Sequence, residues 1–469
     1  MNKLSVFALC AASAALLSAA AGCIASKPPV AISKSTYTGL EKSEQQLMPE
    51  GIKLLTLDEA QQIAIQNNPS FKSAYFAIAA ARARYYQSFS SYLPTISTSL
   101  TIGQGYAESL NRGYGNSSQT TSVSPGLQAD WLVFDSFVRE MNVLAARHNW
   151  KQSEAAELDA RRILLRSVAY AYNNVMLSAT TIKIAEADME YNERLLKETE
   201  LKFQTGASPL SDVLNFKVQY NMAESSLYTS QYSYAQSKYA LAELLGLTIG
   251  TIPDEIQFPE MPSPDGEILA DISVYLDEAL ANRPDLKSYR EALEAAKYSY
   301  YASIAAFGPS FYLSSGMSYN NNKTNIRGRY GSRNSDSRQT YYSFNYSGTV
   351  SWELFSGGST YFSMRAAQAA VTQADYDLAS AWIAVIADVR TAYDNYITNL
   401  KQVKLNQKNL EIVRKTRDLV DQEYRAGSTG ITRVNEAQRD LVDAETSLAN
   451  AVINMHNAKA QLDAATNSI

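Results

Sequence analysis

The chain of 469 residues carries 42 Lys and Arg against 47 Asp and Glu, a net charge of −5, which argues against a general nucleic-acid binder. It has 31 tyrosines but only two histidines and two cysteines, and no His, Cys or carboxylate cluster has metal-ligand spacing, which argues against a metal enzyme. No later stretch offers some 18 consecutive apolar residues, so no transmembrane helix is expected.

The opening "MNKLSVFALCAASAALLSAAAGC" places Lys3 before a short apolar run and then small residues. That pattern reads as a secretory signal over residues 1–22. "AAGC" resembles a bacterial lipobox, with Ala20 where that motif prefers Leu, and Cys23 is the expected lipidated residue, carrying palmitate. Ordinary cleavage leaving Cys23 as a free thiol is the other reading. Ile24 follows rather than Asp, which by analogy with lipoproteins favours the outer membrane. Cys10 leaves with the signal, so no disulfide within the mature chain is possible. Residues 23–53 are polar and expected to be irregular.

The remaining chain is duplicated. "LDEAQQIAIQNNPSFKSA" from Leu57 matches "LDEALANRPDLKSY" from Leu276. Pro69 and Pro94 align with Pro284 and Pro309 at an offset of 215, whereas Trp131 and Gly206 align with Trp352 and Gly427 at 221. Six extra residues therefore lie between Pro309 and Trp352, as expected of a surface loop. The repeats are set at 54–246 and 273–469, joined by a Pro-rich connector over 247–272.

Each repeat has one order of elements. A helix is expected over Leu57–Ser90, then strands after Pro94 and up to Phe134, separated by the polar loop Gln104–Thr121. A long helix runs to Thr205, a turn follows, and a helix covers Leu210–Leu245. The second repeat gives helix Val274–Ala306, strands Ser310–Tyr319 and Tyr341–Leu354, the loop Asn320–Gln339, and helices Thr360–Ala426 and Ile431–Ala465. That second loop is basic, with Lys323, Arg327, Arg329, Arg333 and Arg338, and is expected to be solvated, contact with anionic surface sugars being the other reading.

The helices carry heptads. Val434, Leu441, Leu448, Met455 and Leu462 form one line and Ala437, Ala444, Ala451, Ala458 and Ala465 another, an a/d seam that favours close, supercoiled packing. Segments of about 70 residues would reach roughly 100 Å, twice the length of the short helices. The strands alternate instead: Ile96, Leu100 and Ile102 against Ser97, Ser99 and Thr101, and Tyr342, Phe344, Tyr346, Val350 and Trp352 against Ser343, Asn345, Ser347, Thr349 and Ser351. Strands of about ten residues, apolar on one face with aromatics towards their ends, are the pattern of a transmembrane β-barrel. Trp131 and Trp352 are expected in its aromatic girdle. Four strands cannot close a barrel, so copies must pool them. Three chains give twelve strands and twelve helical columns, whereas an eight-stranded dimer would leave little channel.

These features together resemble the bacterial outer-membrane efflux protein family, the TolC-like exit ducts. The resemblance is carried by the two "LDEA" segments, "WELFSGGSTY", and the paired turns "LKFQTGASPLSDVLNFK" and "QEYRAGSTGITRVNEAQ". It implies a mainly α fold with a transmembrane β-barrel: a homotrimer whose 12-strand barrel, four strands per chain, continues into a 12-helix α-barrel, with an equatorial belt. The lipobox points to the lipoprotein branch. The family docks with a periplasmic adaptor (membrane fusion) protein and an inner-membrane pump of RND or ABC type. It works without covalent chemistry or cofactor.

By family position, a periplasmic gate falls at Asp212, Tyr424, Thr429, Arg433 and Glu436. Arg433 departs from the acidic residue that members carry there, and is expected to pair with Asp212 or Glu436. Gly206, Ser208, Gly427 and Ser428 are the expected adaptor-docking turns, although glycines there also serve simply to end helices. The competing reading is a trimeric coiled-coil stalk or adhesin-type surface protein, which accounts for the heptads but not for two strand pairs at matched positions. "GGST" at Gly357 precedes a helix but lacks the Gly-Lys-Ser/Thr ending of a phosphate loop.

Overall fold

The computed structural model describes residues 48, 52–111, 114–261, 269–329 and 334–468. The signal, Cys23 and most of the N-terminal segment lie outside the described residues. The elements in chain order are α1 (Leu57–Asn67), α2 (Pro69–Ser88), β1 (Thr95–Asn111), β2 (Tyr114–Phe134), α3 (Val138–Gln204) and α4 (Leu210–Leu244). The second repeat follows as α5 (Ile272–Asn282), α6 (Pro284–Ala305), β3 (Ser310–Arg329), β4 (Ser335–Ser351), α7 (Ser359–Arg425) and α8 (Ile431–Thr466). They divide into two compact units, one holding Arg82–His148 and Glu294–Gln373, the other the remaining described residues.

The first helix of each repeat is broken, where one continuous helix was expected. Asn68 and Arg283 adopt extended backbone (φ −60°, ψ 120° and φ −64°, ψ 125°). The prolines that follow disfavour the helical region for the residue before them. Each break is then fastened differently. Asn68 donates to the Leu244 carbonyl at 2.9 Å, while the buried Arg283 guanidinium donates to Asp285 (2.5 Å) and Asp388 (3.3 Å). Helix α1 begins on a capping box, with Thr56 accepting from the Glu59 amide at 3.3 Å and Glu59 accepting from the Thr56 amide at 2.9 Å.

The expected seam on α8 is buried: Val434, Leu441, Met455 and Leu462, with Ala437, Ala444, Ala451, Ala458 and Ala465. Its neighbours include Tyr396 and Val403 of α7. Leu55, Ala64, Val168, Tyr172, Leu241 and Ile252 form a second cluster, drawing on the first repeat and the connector. Lys53 and Leu55 pair with Gln257 through backbone bonds of 2.9 Å each, which fixes the chain entering α1 to the connector. By contrast Leu405, Ile412 and Leu419 repeat at seven on α7 yet stand exposed, a seam left uncovered by the described residues.

In the other unit the four strands form one antiparallel sheet ordered β1-β2-β3-β4. The strands run for 17, 21, 20 and 17 residues, not about ten. Most of the expected loops Gln104–Thr121 and Asn320–Gln339 are paired strand. Thr and Tyr favour the pleated backbone whatever they face, so the ladder continues after the apolar alternation has stopped. Thr95 pairs with Asp130 and Ser310 with Ser351, equivalent positions in the two repeats. The six extra residues therefore lengthen the second hairpin.

The corner from strand to long helix shows why "GGST" is there. Gly357 and Gly358 have φ of 64° and 89°, and their equivalents in the first repeat, Ser136 and Phe137, take the same left-handed conformation at 57° and 74°. Two residues that disfavour it are held by their surroundings. Ser136 donates to the Pro309 carbonyl at 2.7 Å. Arg139, buried, donates to the carbonyls of Ser91 (3.0 Å), Leu132 (2.6 Å) and Val133 (2.8 Å) and lies 3.4 Å from Asp135. Asp135 and Ser356 occupy matching capping positions, accepting from the amides of Arg139 and Thr360.

Replacing Gly357 by Ala adds a side chain in open space but in the left-handed region, so the expected cost is about 1–2 kcal/mol. Arg139→Ala leaves Asp135 without its cation and is expected to cost more, about 3–5 kcal/mol. Thermal unfolding of the purified protein in detergent, followed by circular dichroism, orders the two.

Candidate channel wall and hairpin gate

Residue alternation and register together give the sheet two chemically distinct faces. Ile96, Ala129, Ser315 and Tyr346 form one cross-strand row, and Thr98, Leu127, Met317 and Phe344 the next on the same side. Ile96, Leu100, Ile102, Phe344, Tyr346 and Val350 on this side are exposed. So large an uncovered apolar face fits a lipid contact. The opposite face carries the rows Ser97, Gln128, Gly316, Asn345 and Ser99, Gly126, Ser318, Ser343. Asp130 sits on this polar face and accepts from Ser314 at 2.8 Å and from Gln128 at 2.9 Å.

The two tryptophans occupy equivalent corners. Trp131 donates its indole N–H to the Tyr92 carbonyl and Trp352 to the Phe307 carbonyl, both at 2.9 Å. Both rings remain exposed, as expected of amphipathic anchors at a membrane boundary.

The paired turns are superimposable in their bonding. Gly206 donates to Phe203 (2.9 Å) and Ala207 to Lys202 (2.7 Å); Gly427 donates to Tyr424 (3.0 Å) and Ser428 to Glu423 (2.9 Å). The glycines stand at φ 74° and 76°, which completes a Schellman cap. Ser208 donates to Asp212 at 3.1 Å, and Ser428 to the Glu423 carbonyl at 2.9 Å.

The expected gate residues are only partly brought together. Arg433 pairs with Glu436 at 3.3 Å, one turn along α8, and both side chains remain about half exposed. Within the chain Arg433 has no ion pair to Asp212 among the described residues, because Asp212 is taken up at the start of α4 by Ser208. Thr429 is half-buried in its turn. Tyr424 lies between the repeats: Lys202 Nζ is 5.1 Å from its ring centre, and the Phe216 ring meets it edge-on at 6.1 Å. Burial pushes its hydroxyl up, opposed by a hydrogen bond with Thr199 and reinforced by Asp212 and Glu198.

The two hairpin ends are tied by seam residues together with polar neighbours that motif spacing did not single out. Tyr191, Leu195, Phe216, Val420, Val434 and Ala437 share one buried cluster. Around it Asn435 donates to Asn215 (2.9 Å), Tyr191 to Asp421 (3.3 Å) and Gln438 to Asp188 (2.7 Å), and Arg425 lies 3.7 Å from Glu198. The buried seam positions Phe216, Val434 and Ala437 were legible as heptads. Their polar neighbours were not, because a polar residue beside a seam reads as solvated until its partner is known.

The model of the outer membrane efflux protein family matches residues 60–247 and 275–468. The chain belongs to that family. TolC of Vibrio cholerae is 22% identical over 83% of this chain and 85% of its own, and AprF of Pseudomonas aeruginosa, an alkaline protease secretion protein, 24% over 88% and 83%. The cation efflux protein CusC of Escherichia coli K12 is 28% identical over 54% of each chain. A crystal structure of CusC superposes with a TM-score of 0.73 at 20% identity, covering 90% of this chain and 96% of that one. The CmeC channel of Campylobacter jejuni gives 0.72 at 18%, covering 87% and 85%. The protein is thus an outer-membrane efflux channel, and the polar face of its sheet is the face suited to line water.

Asp188 offers a check on the hairpin tie. Burial holds its carboxyl above the ordinary value of 3.8, against hydrogen bonds from Gln438 and Asn192 and with Glu445 adding to the rise. A raised native pKa means that the folded state binds the proton more readily. Its contribution to stability is therefore full below the ordinary value and falls as pH rises through the native one. In Asp188→Asn that slope is removed, so the variant's melting temperature is expected to gain on the wild type as pH rises from acid to neutral. A constant difference across the series would contradict the assignment.

Proposed function

We propose that this chain is the exit duct of a tripartite efflux or secretion system, working as a homotrimer with a periplasmic adaptor and an inner-membrane pump. The observation that carries the trimer is the sheet itself. β1 and β4 are edge strands of a four-stranded sheet with an apolar face, and unpaired edges are untenable in lipid. Three copies supply twelve strands and close it, and the exposed heptad line of α7 would meet the neighbouring chain. Ser97, Ser99, Asn345 and Thr349 then face water and give polar solutes a solvated path across the membrane. Energy comes from the pump.

We further assign the hairpin ends as gate and docking edge. Gly206, Ser208, Gly427 and Ser428 present the turns to an adaptor. Asp212, Tyr424, Thr429, Arg433 and Glu436 narrow the mouth, with Arg433 free to exchange Glu436 for an acidic residue of a neighbouring chain. The ties Asn215–Asn435 and Glu198–Arg425 make the two hairpins of one chain move together. Residues 1–22 serve as the signal and Cys23 as the lipid anchor, with 54–246 and 273–469 as the repeats.

Reconstituted in planar bilayers, the protein is expected to conduct and to run as a detergent-resistant trimer. A soluble, elongated trimer without conductance would instead support the stalk reading. Asp212→Ala combined with Arg433→Ala is expected to raise single-channel conductance and sensitise cells to bulky antibiotics. Unchanged values would overturn the gate assignment and leave the duct intact.

A further inference from the structure

Most of the basic segment expected to be a solvated loop is paired strand, and two of its cations share a definite face. Lys323 of β3 stands directly opposite Arg338 of β4, in the row Gln104, Thr121, Lys323, Arg338. That row lies on the same side as Met317 and Phe344, the apolar side. Both cations are exposed. Like charges placed directly across a strand pair destabilise it, and neither has a carboxylate partner among the described residues. The nearby Asp336 is paired with Arg327 at 3.3 Å. Arg338 donates through Nε to Asn321 Oδ1 at 3.1 Å, which orients the guanidinium on that face.

The position along the strands is as informative as the face. The row Trp131, Leu313, Gly348 lies ten residues away along β2, β3 and β4 alike. Ten residues at about 3.4 Å make about 34 Å along an antiparallel strand. A tilt of about 40° reduces this to about 26 Å along the membrane normal, which equals the apolar band of such barrels, about 25 Å. With Trp131 at one boundary, Lys323 and Arg338 fall at the other. The Tyr319 and Tyr342 rings, 5.2 Å apart, lie four residues nearer the middle.

We propose that Lys323 and Arg338 form a site for the phosphate groups of the phosphorylated glycolipid of the outer leaflet. A guanidinium supplies a planar fork that suits phosphate and an ammonium supplies a point charge. A phosphate bridging the two converts a repulsive cross-strand pair into an attractive triplet. The acyl chains of the same molecule cover Met317 and Phe344 below. A site formed by one chain recurs in every copy, so a bound ring of lipid would seal the barrel's outer rim. The inference rests on the duct reading, through the apolar face that meets lipid.

The test uses the full-length trimer and the variant Lys323→Gln/Arg338→Gln. Each is titrated with diphosphoryl lipid A, with its dephosphorylated form and with inorganic phosphate, and bound lipid is read by native mass spectrometry. The wild type is expected to retain diphosphoryl lipid A, and the variant to bind it more weakly by about tenfold or more, since hydrogen bonds to charged groups are the strong ones. Conductance of the variant is expected to match the wild type. Equal binding by the two proteins, or equal binding of the dephosphorylated lipid, overturns the proposal, and displacement by inorganic phosphate overturns the choice of a lipid. A wild type that does not conduct is a failure of the duct reading and is seen separately.

Discussion

A strand inside a bilayer must find a backbone partner on both sides, because lipid supplies none. The described residues of this chain provide four strands and leave the outer edges of β1 and β4 open. Everything else in the architecture serves that deficit. The repeat is doubled so that two hairpins can pair through β2 and β3 into one sheet. The register of both hairpins is set at equivalent residues, and β2 and β3 pair so that the apolar side continues across the join up to the irregularity at Leu132–Phe134. The remaining edges are met by copies of the chain, which is why the proposed assembly is a ring.

The same constraint shapes the corners where strands give way to long helices. The backbone must turn sharply just where the Trp131 and Trp352 indoles bond back to the carbonyls of Tyr92 and Phe307, and both repeats turn through two left-handed residues. The second repeat uses glycines, which adopt that conformation at little cost. The first places Ser136 and Phe137 there and relies on Arg139, whose guanidinium gathers three carbonyls and one carboxylate. One geometry is reached by removing strain in one copy and by opposing it with a buried cation in the other. Duplication preserved the fold and let its chemistry diverge.

The hairpin ends follow the same division. Their caps are identical in bonding, but their polar surroundings differ. Asp212 is engaged by Ser208 in the first repeat, and Arg433 by Glu436 in the second. The buried cluster around Phe216 and Val434 joins the two ends, and the bonds from Asn435 and Gln438 align them. In the proposed gate, a mouth built from such ends would change shape by moving hairpin pairs rather than single loops.

Periodicity by itself determined much here. A period of seven identified the α8 seam, a period of two the faces of the sheet, and matched offsets the duplication and the caps, because each of these is a local repeat that side-chain burial imposes on the chain. Only the tertiary structure decided where polar residues find partners. Lys323 and Arg338 read as loop because strands without apolar alternation give no signal, although their backbones pair as well as any others. The break at Asn68 was masked by heptads that continue past it. The meaning of Asp188, Arg139 and "GGST" depends on residues distant in sequence, and a polar side chain shows its role only once its partner is in place.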